Sequence, residues 1–227
     1  MGAQKPMVLV AGAGVGLGKS LLARFADGGF EPVGLGRSAP KAPLGQFHTV
    51  DLADETSAPD MLAKIIAENG PPKVVIHNTA ELVIAPFMQT SVDDYRRTWE
   101  SMVKSAVLLA QATIQPMIDA GGGTFIVSGA TATLRGGAKF SAFASAKFAL
   151  RGLTQSLARE FQPKGVHVCH AILDGIIDTA RARALHSLDP AKMMKPADIA
   201  ETYWHIVHQS KSTWTHEFDL RPSSEGF

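Results

Sequence analysis

The feature that most constrains this chain is a bare bend placed directly after an apolar run. Met7-Val8-Leu9-Val10-Ala11 leads into Gly12-Ala13-Gly14-Val15-Gly16-Leu17-Gly18, and an amphipathic helical stretch continues from about Gly18 to Ala26. Four glycines in seven residues let the main chain approach a ligand more closely than any side chain would allow. The next helix points its free N–H groups and the positive end of its dipole at whatever sits in the bend. Strand, glycine bend and helix together predict a site for a phosphorylated ligand rather than a tight connection with nothing bound.

The rest of the chain repeats the strand–helix alternation. Further strands are expected at Pro32–Gly36, Gln46–Val50, Lys73–His77, Thr124–Ser128, Val166–Ile172 and Trp214–Leu220. Helices are expected at about Ala58–Glu68, Tyr95–Ala120, Phe143–Phe161 and Pro196–His208. Alternation of this kind is the mark of βαβ units, so the chain is expected to be a doubly wound parallel α/β sheet of about seven strands with helices on both faces. With 227 residues, 45% of them hydrophobic and 19% charged, residues 1–227 are expected to form a single domain.

Composition removes several function classes. The formal net charge is +1 and no basic block occurs, so no nucleic-acid partner is expected. No apolar run approaches the ~20 residues of a membrane span, and Met1–Pro6 lacks the apolar core of a signal peptide. Cys169 is the only cysteine, which fits a reducing compartment, and a cytoplasmic location is expected. His167 and His170 fall on opposite faces of one strand, and His205 and His208 have no further ligand nearby, so no metal site is expected. No G-x-S-x-G elbow is present.

The bend itself admits two readings. Gly12, Gly16 and Gly18 spell G-x-x-x-G-x-G, while Ala13–Ser20 spells A-x-x-x-x-G-K-S, close to a P-loop in which Lys19 would reach terminal phosphates and Ser20 a Mg²⁺ ion. A P-loop hydrolase or kinase also needs an apolar strand ending in an acidic metal ligand. The strands here end His77-Asn78 and Ser128-Gly129, and Asp51 comes after only a short mixed run.

The first reading gathers more of the chain. From the first strand to about Thr179 the sequence resembles the short-chain dehydrogenase/reductase family. Asp51-Leu52 matches the family's Asp–hydrophobic pair after the third strand, and His77-Asn78-Thr79-Ala80 matches its Asn-Asn-Ala-Gly segment with only Asn78 kept. Phe143-Ala144-Ser145-Ala146-Lys147 matches Tyr-x-x-x-Lys, and Asp174-Gly175-Ile176-Ile177-Asp178-Thr179 matches Pro-Gly-x-x-x-Thr. The resemblance implies a Rossmann fold, a nicotinamide dinucleotide cofactor, a small-molecule substrate and a homodimer or homotetramer built on the two long helices. It assigns cofactor binding to Gly12, Gly16, Leu17, Gly18, Arg37, Asp51, Leu52, Asn78, Ala80, Lys147, Gly175, Ile177 and Thr179.

Cofactor choice turns on Leu35-Gly36-Arg37-Ser38 at the end of the second strand. An NAD enzyme usually carries a carboxylate there for the ribose 2′-hydroxyl. Arg37 can instead pair with a 2′-phosphate, so NADP is expected ahead of NAD. The catalytic set is expected to be incomplete. Lys147 is kept as the one catalytic residue, but Phe143 stands at the tyrosine position, Ala130 at the serine position and Met102 at the asparagine position. Ala130, Phe143 and Asp174 are expected to line the substrate pocket, with residues 181–195 forming a helical lid over it. Two functions are compatible with this set. One is an oxidoreductase with an atypical active site, suited to a substrate such as an imine that builds up no alkoxide. The other is a dinucleotide-binding sensor or subunit without catalysis.

Overall fold

The computed structural model describes residues 5–224. Met1–Gln4, part of the segment read for a signal peptide, and the last three residues of the expected domain lie outside the described residues. The strands are Met7–Ala11 (β1), Glu31–Gly36 (β2), Gln46–Thr49 (β3), Pro72–His77 (β4), Gly123–Ser128 (β5), Val166–Leu173 (β6) and Glu217–Leu220 (β7). The α-helices are Leu17–Asp27 (α1), Ser57–Asn69 (α2), Val92–Trp99 (α3), Ser105–Asp119 (α4), Ser141–Phe161 (α5), Ala180–Leu185 (α6) and Pro196–Val207 (α7).

The strands form one seven-stranded sheet in the order β3-β2-β1-β4-β5-β6-β7, and every pairing is parallel. Each residue of β1, β5 and β6 is buried, as expected where helices cover both faces. Alternation along β1 divides the core. Met7, Leu9 and Ala11 pack with Leu62, Met102, Leu109 and Leu150 on one face. Val8 and Val10 pack with Leu21, Phe25, Ile199 and Tyr203 on the other. The chain runs outward from β1 to β3 and then crosses back to β4, so a crevice opens above the carboxyl ends of β1 and β4.

The strand expectations are met to within a residue or two, except that β7 begins at Glu217 after a 3₁₀ turn at Lys211–Thr213. The helix expected over Tyr95–Ala120 is corrected. It starts at Val92 behind a Ser91–Asp94 capping box and is interrupted by a π-helical turn at Glu100–Lys104. Within and just after that wider turn, Met102 enters the core while Ser101 and Ser105 face the crevice. The lid expected as one helical segment is α6, an extended stretch and a 3₁₀ turn at Pro190–Lys192.

The glycine bend is held by close backbone contact. Gly12 has φ of +83°, and a Cβ there would lie 2.6 Å from the carbonyl oxygen of Asn78. Asn78 is fastened to the bend by its N–H to Ala11 O at 2.8 Å and its Nδ2 to Gly12 O at 3.2 Å. A Cβ on Gly18 would lie 2.4 Å from the carbonyl oxygen of Gly12. Backbone on backbone leaves nothing flexible to yield, so Gly18→Ala is expected to lower the stability by about 2 kcal/mol or more, by pushing α1 off β1. Urea unfolding checks this; a midpoint within error of the parent would contradict it.

Candidate active site

The crevice is a cleft of about 440 Å³ above β1 and β4. Its floor is the bend from Gly12 to Gly18. One wall is Gly36–Ser38 after β2, with Asp51 and Leu52 after β3. The opposite wall is Asn78, Thr79 and Ala80 after β4, joined by Ser101 and Ser105 from the widened helix, and Arg181 of α6 also borders the cleft. Among the expected cofactor residues, Gly12, Gly16, Leu17, Gly18, Arg37, Asp51, Leu52, Asn78 and Ala80 therefore border one cavity.

Lys19 does not border it. Lys19 lines a separate small depression with Val15, Pro40 and Leu44. The P-loop reading needs Lys19 in the phosphate site, so the geometry speaks against it.

The Arg37 end of the cleft carries a charge bridge. Arg37 is exposed, and its Nη2 lies 3.4 Å from Glu81 Oε2. Glu81 also accepts from Arg97 Nη1 at 3.2 Å. A carboxylate absent from the end of β2 is thus supplied from the loop after β4.

A polar cluster lies under the opposite wall. His77 is fully buried, and its Nε2 lies 2.8 Å from Ser105 Oγ and 2.9 Å from Thr79 Oγ1. Both hydroxyls donate to the Ser101 carbonyl, at 2.6 and 2.7 Å. With their protons spent there, they can only accept from His77, which fixes the Nε2–H tautomer and leaves Nδ1 without a partner. Burial, helped by the charge of Lys147, pushes the His77 pKa down to about 3.

Lys147 is buried on α5, and its Nζ donates to the Ser128 carbonyl at 2.8 Å. Burial pushes its pKa down to about 8. Its Nζ sits 5.7 Å from the centre of the Phe143 ring, which packs against the core. Ala130 lies two residues beyond Ser128, and its N–H is held by Thr133 Oγ1 at 3.1 Å. Lys147 thus faces a phenyl ring where the resemblance places a phenol.

The remaining expected residues lie in the loop after β6. Asp174 is buried rather than presenting a free carboxylate: Thr131 donates to Oδ1 at 2.5 Å and Arg221 pairs with Oδ2 at 3.1 Å. That replaces the expectation that Asp174 faces a substrate. Gly175 packs closely beneath Pro222, and Ile177 is bridged to Met194. The Thr179 methyl would lie 2.9 Å from a Cβ on Gly16, so this loop rests directly on the glycine bend. Asp174, Gly175, Ile177, Thr179, Ala130, Phe143 and Lys147 are not on the walls of the cleft itself.

Comparison with known proteins fits this arrangement. The model of the short chain dehydrogenase family matches residues 6–189. The chain belongs to that family of oxidoreductases. A short-chain dehydrogenase/reductase of Armillaria gallica is 30% identical over 190 residues, covering 78% of this chain and 72% of that protein. The crystal structure of a short-chain dehydrogenase from Rhodopseudomonas palustris is 32% identical, superposes with a TM-score of 0.79, and covers 96% of this chain and 98% of that one. ElxO with NADP bound shares the fold at a TM-score of 0.87 and 19% identity, covering 95% of this chain and 97% of that one.

Sequence reasoning passed over Thr79, Ser101, Ser105 and Arg181 as parts of this short-chain dehydrogenase's cleft. Thr79 stands inside the motif after β4, and Arg181 opens the expected lid. Ser101 and Ser105 depend on the π-turn, which no residue pattern announces.

His77 makes a pH prediction. Its unfolded pKa is near 6.5 and its folded value about 3, so the unfolded chain binds the extra proton between them. The stability held by neutral His77 is complete above about pH 6.5 and is lost as the pH falls toward 3. His77→Asn is expected to make stability less steep in pH between 6 and 4, by up to one proton. Urea unfolding as a function of pH reads that slope, and an unchanged slope would count against the assignment.

Proposed function

We propose that this protein is an NADP(H)-dependent oxidoreductase whose substrate, such as an imine or iminium, develops no alkoxide. The observation that carries the reading is the single cleft running from the bare glycine bend to Arg37. The residues fit a dinucleotide. No side chain intrudes where Gly12 and Gly18 face each other, α1 directs its N-terminus into the cleft, and Ala80 is small. The bend from Gly12 through Gly16, Leu17 and Gly18 would hold the diphosphate, and Asp51 with Leu52 the adenine. Arg37 would hold the 2′-phosphate, Asn78 and Ala80 the middle of the molecule, and Gly175, Ile177 and Thr179 the nicotinamide side. When bound, the nicotinamide supplies or accepts a hydride.

The protein's own contribution to proton chemistry is narrow. Phe143 has no O–H to donate, and Ala130 has no hydroxyl to hold a developing oxyanion. Each loss costs a carbonyl reduction about 10²-fold or more. Lys147 Nζ, with its pKa lowered to about 8, holds the ribose side and is the group here able to give up a proton near neutral pH. Hydride addition to an iminium yields a neutral amine and needs no strong acid, which suits this set. Ala130, Phe143 and the segment 181–195 are proposed to shape the substrate space above it.

Two measurements test this reading. In fluorescence titrations, NADPH is expected to bind more tightly than NADH, and Mg-ATP not at all. Arg37→Ala should weaken NADPH about tenfold and leave NADH unchanged, while Glu81→Gln should tighten NADPH about two- to fivefold by freeing Arg37. Equal affinity for both dinucleotides in the parent would overturn the NADP assignment. In turnover assays the parent should reduce cyclic imines and leave simple ketones nearly untouched, and Phe143→Tyr with Ala130→Ser should raise ketone reduction about 10²-fold. Tight NADPH binding with no turnover of any imine in either protein would favour a non-catalytic dinucleotide-binding role.

A further inference from the structure

We infer that Arg181 is the counter-ion of the cofactor diphosphate, carried to the glycine bend by the lid. This rests on the dinucleotide reading above and adds a binding residue that the family resemblance does not assign. The charges on the cleft walls are Arg37, Asp51 and Arg181. Arg37 stands at the adenosine end and is already engaged by Glu81. Asp51 repels phosphate. Lys19, the cation next to the bend, lines a different depression. The helix end contributes only about half a positive charge, against one negative charge on each phosphate.

Arg181 is placed to complete the balance. It lies two residues beyond Thr179, whose methyl would be 2.9 Å from a Cβ on Gly16. Arg181 has no ion pair or hydrogen bond among the described residues, although it borders the cleft. The next arginine of α6 behaves differently. Arg183 is held bidentately by Asp178, at 2.5 and 2.8 Å. The short helix therefore anchors one arginine to its own loop and leaves the other facing an anion cradle. A guanidinium matches phosphate oxygens in a two-pronged geometry, and the pairing strengthens as the lid excludes water.

Four ligands separate this role from others: ADP-ribose, NADH and NADPH, which share the diphosphate, and adenosine 2′-monophosphate, which lacks it. Arg181→Ala replaces one good helix former by another, so α6 should persist. Isothermal titration is expected to show ADP-ribose, NADH and NADPH weakened by the same factor, about five- to twentyfold. Adenosine 2′-monophosphate should stay within about twofold, whereas Arg37→Ala should weaken that ligand and leave ADP-ribose unchanged. The gap between parent and Arg181→Ala should narrow as salt is raised, and Arg183→Ala should leave ADP-ribose binding intact. An unchanged ADP-ribose affinity in Arg181→Ala, with the parent binding normally, overturns this inference and spares the NADP reading. Failure of the parent to bind any of the dinucleotides removes that reading, and this inference with it.

Discussion

The contact on which the rest of the structure depends is between two pieces of main chain. Gly18 lies so close to the Gly12 carbonyl that a methyl group would have no room, and Gly12 lies as close to Asn78. These contacts draw the start of α1 and the exits of β1 and β4 together at the point where the order of strand addition reverses. A side chain at either position would run into main chain and separate the helix from the sheet. The floor of the cleft keeps its shape because the bend is bare.

Around that floor the polar groups are arranged by what burial costs them. An isolated buried histidine is tolerable only when neutral, and the hydroxyls of Thr79 and Ser105 give His77 acceptors in that state. Lys147 has the Ser128 carbonyl as its partner and a depressed pKa. A tyrosine hydroxyl beside Lys147 would share its proton; a phenyl ring offers only its face, at 5.7 Å. The burial that lowers the lysine's pKa is thus present although the phenol that the resemblance places beside it is absent.

Much of this was legible from residues alone, and the reason differs by element. β1, β5 and β6 are apolar at nearly every position because both faces are covered, and such runs cannot be mistaken for surface. The glycine bend and Asp51-Leu52, which border the cleft, were readable as features of it because each is local chemistry directly after a strand. The π-turn at Glu100–Lys104 was not, since its residues have ordinary helical propensity and only packing widens the turn. Asp174 was misplaced for a related reason. Its partners, Thr131 and Arg221, lie 43 and 47 residues away in the chain, and no local pattern announces a pairing of that range.

That pairing has its own consequence for the cleft. The salt bridge from Asp174 to Arg221 ties the start of the loop after β6 to the segment after β7, and Pro222 covers Gly175 from above. The near end of the loop is therefore fixed by buried charge and packing. α6 itself is held by Asp178 with Arg183 and by the Thr179 cap on Ala182 N–H, close to the surface, and the chain beyond it is pinned again where Met194 exchanges backbone hydrogen bonds with Ile176 and Asp178. The loop is thus anchored on both sides of α6, with the lighter hold on the short helix between them. The first anchor lies beside Thr131, and α6 carries Arg181 at the edge of the cleft. At the position where the family resemblance places a proline, Asp174 thus holds the start of the loop by an ionic tether rather than by backbone stiffness.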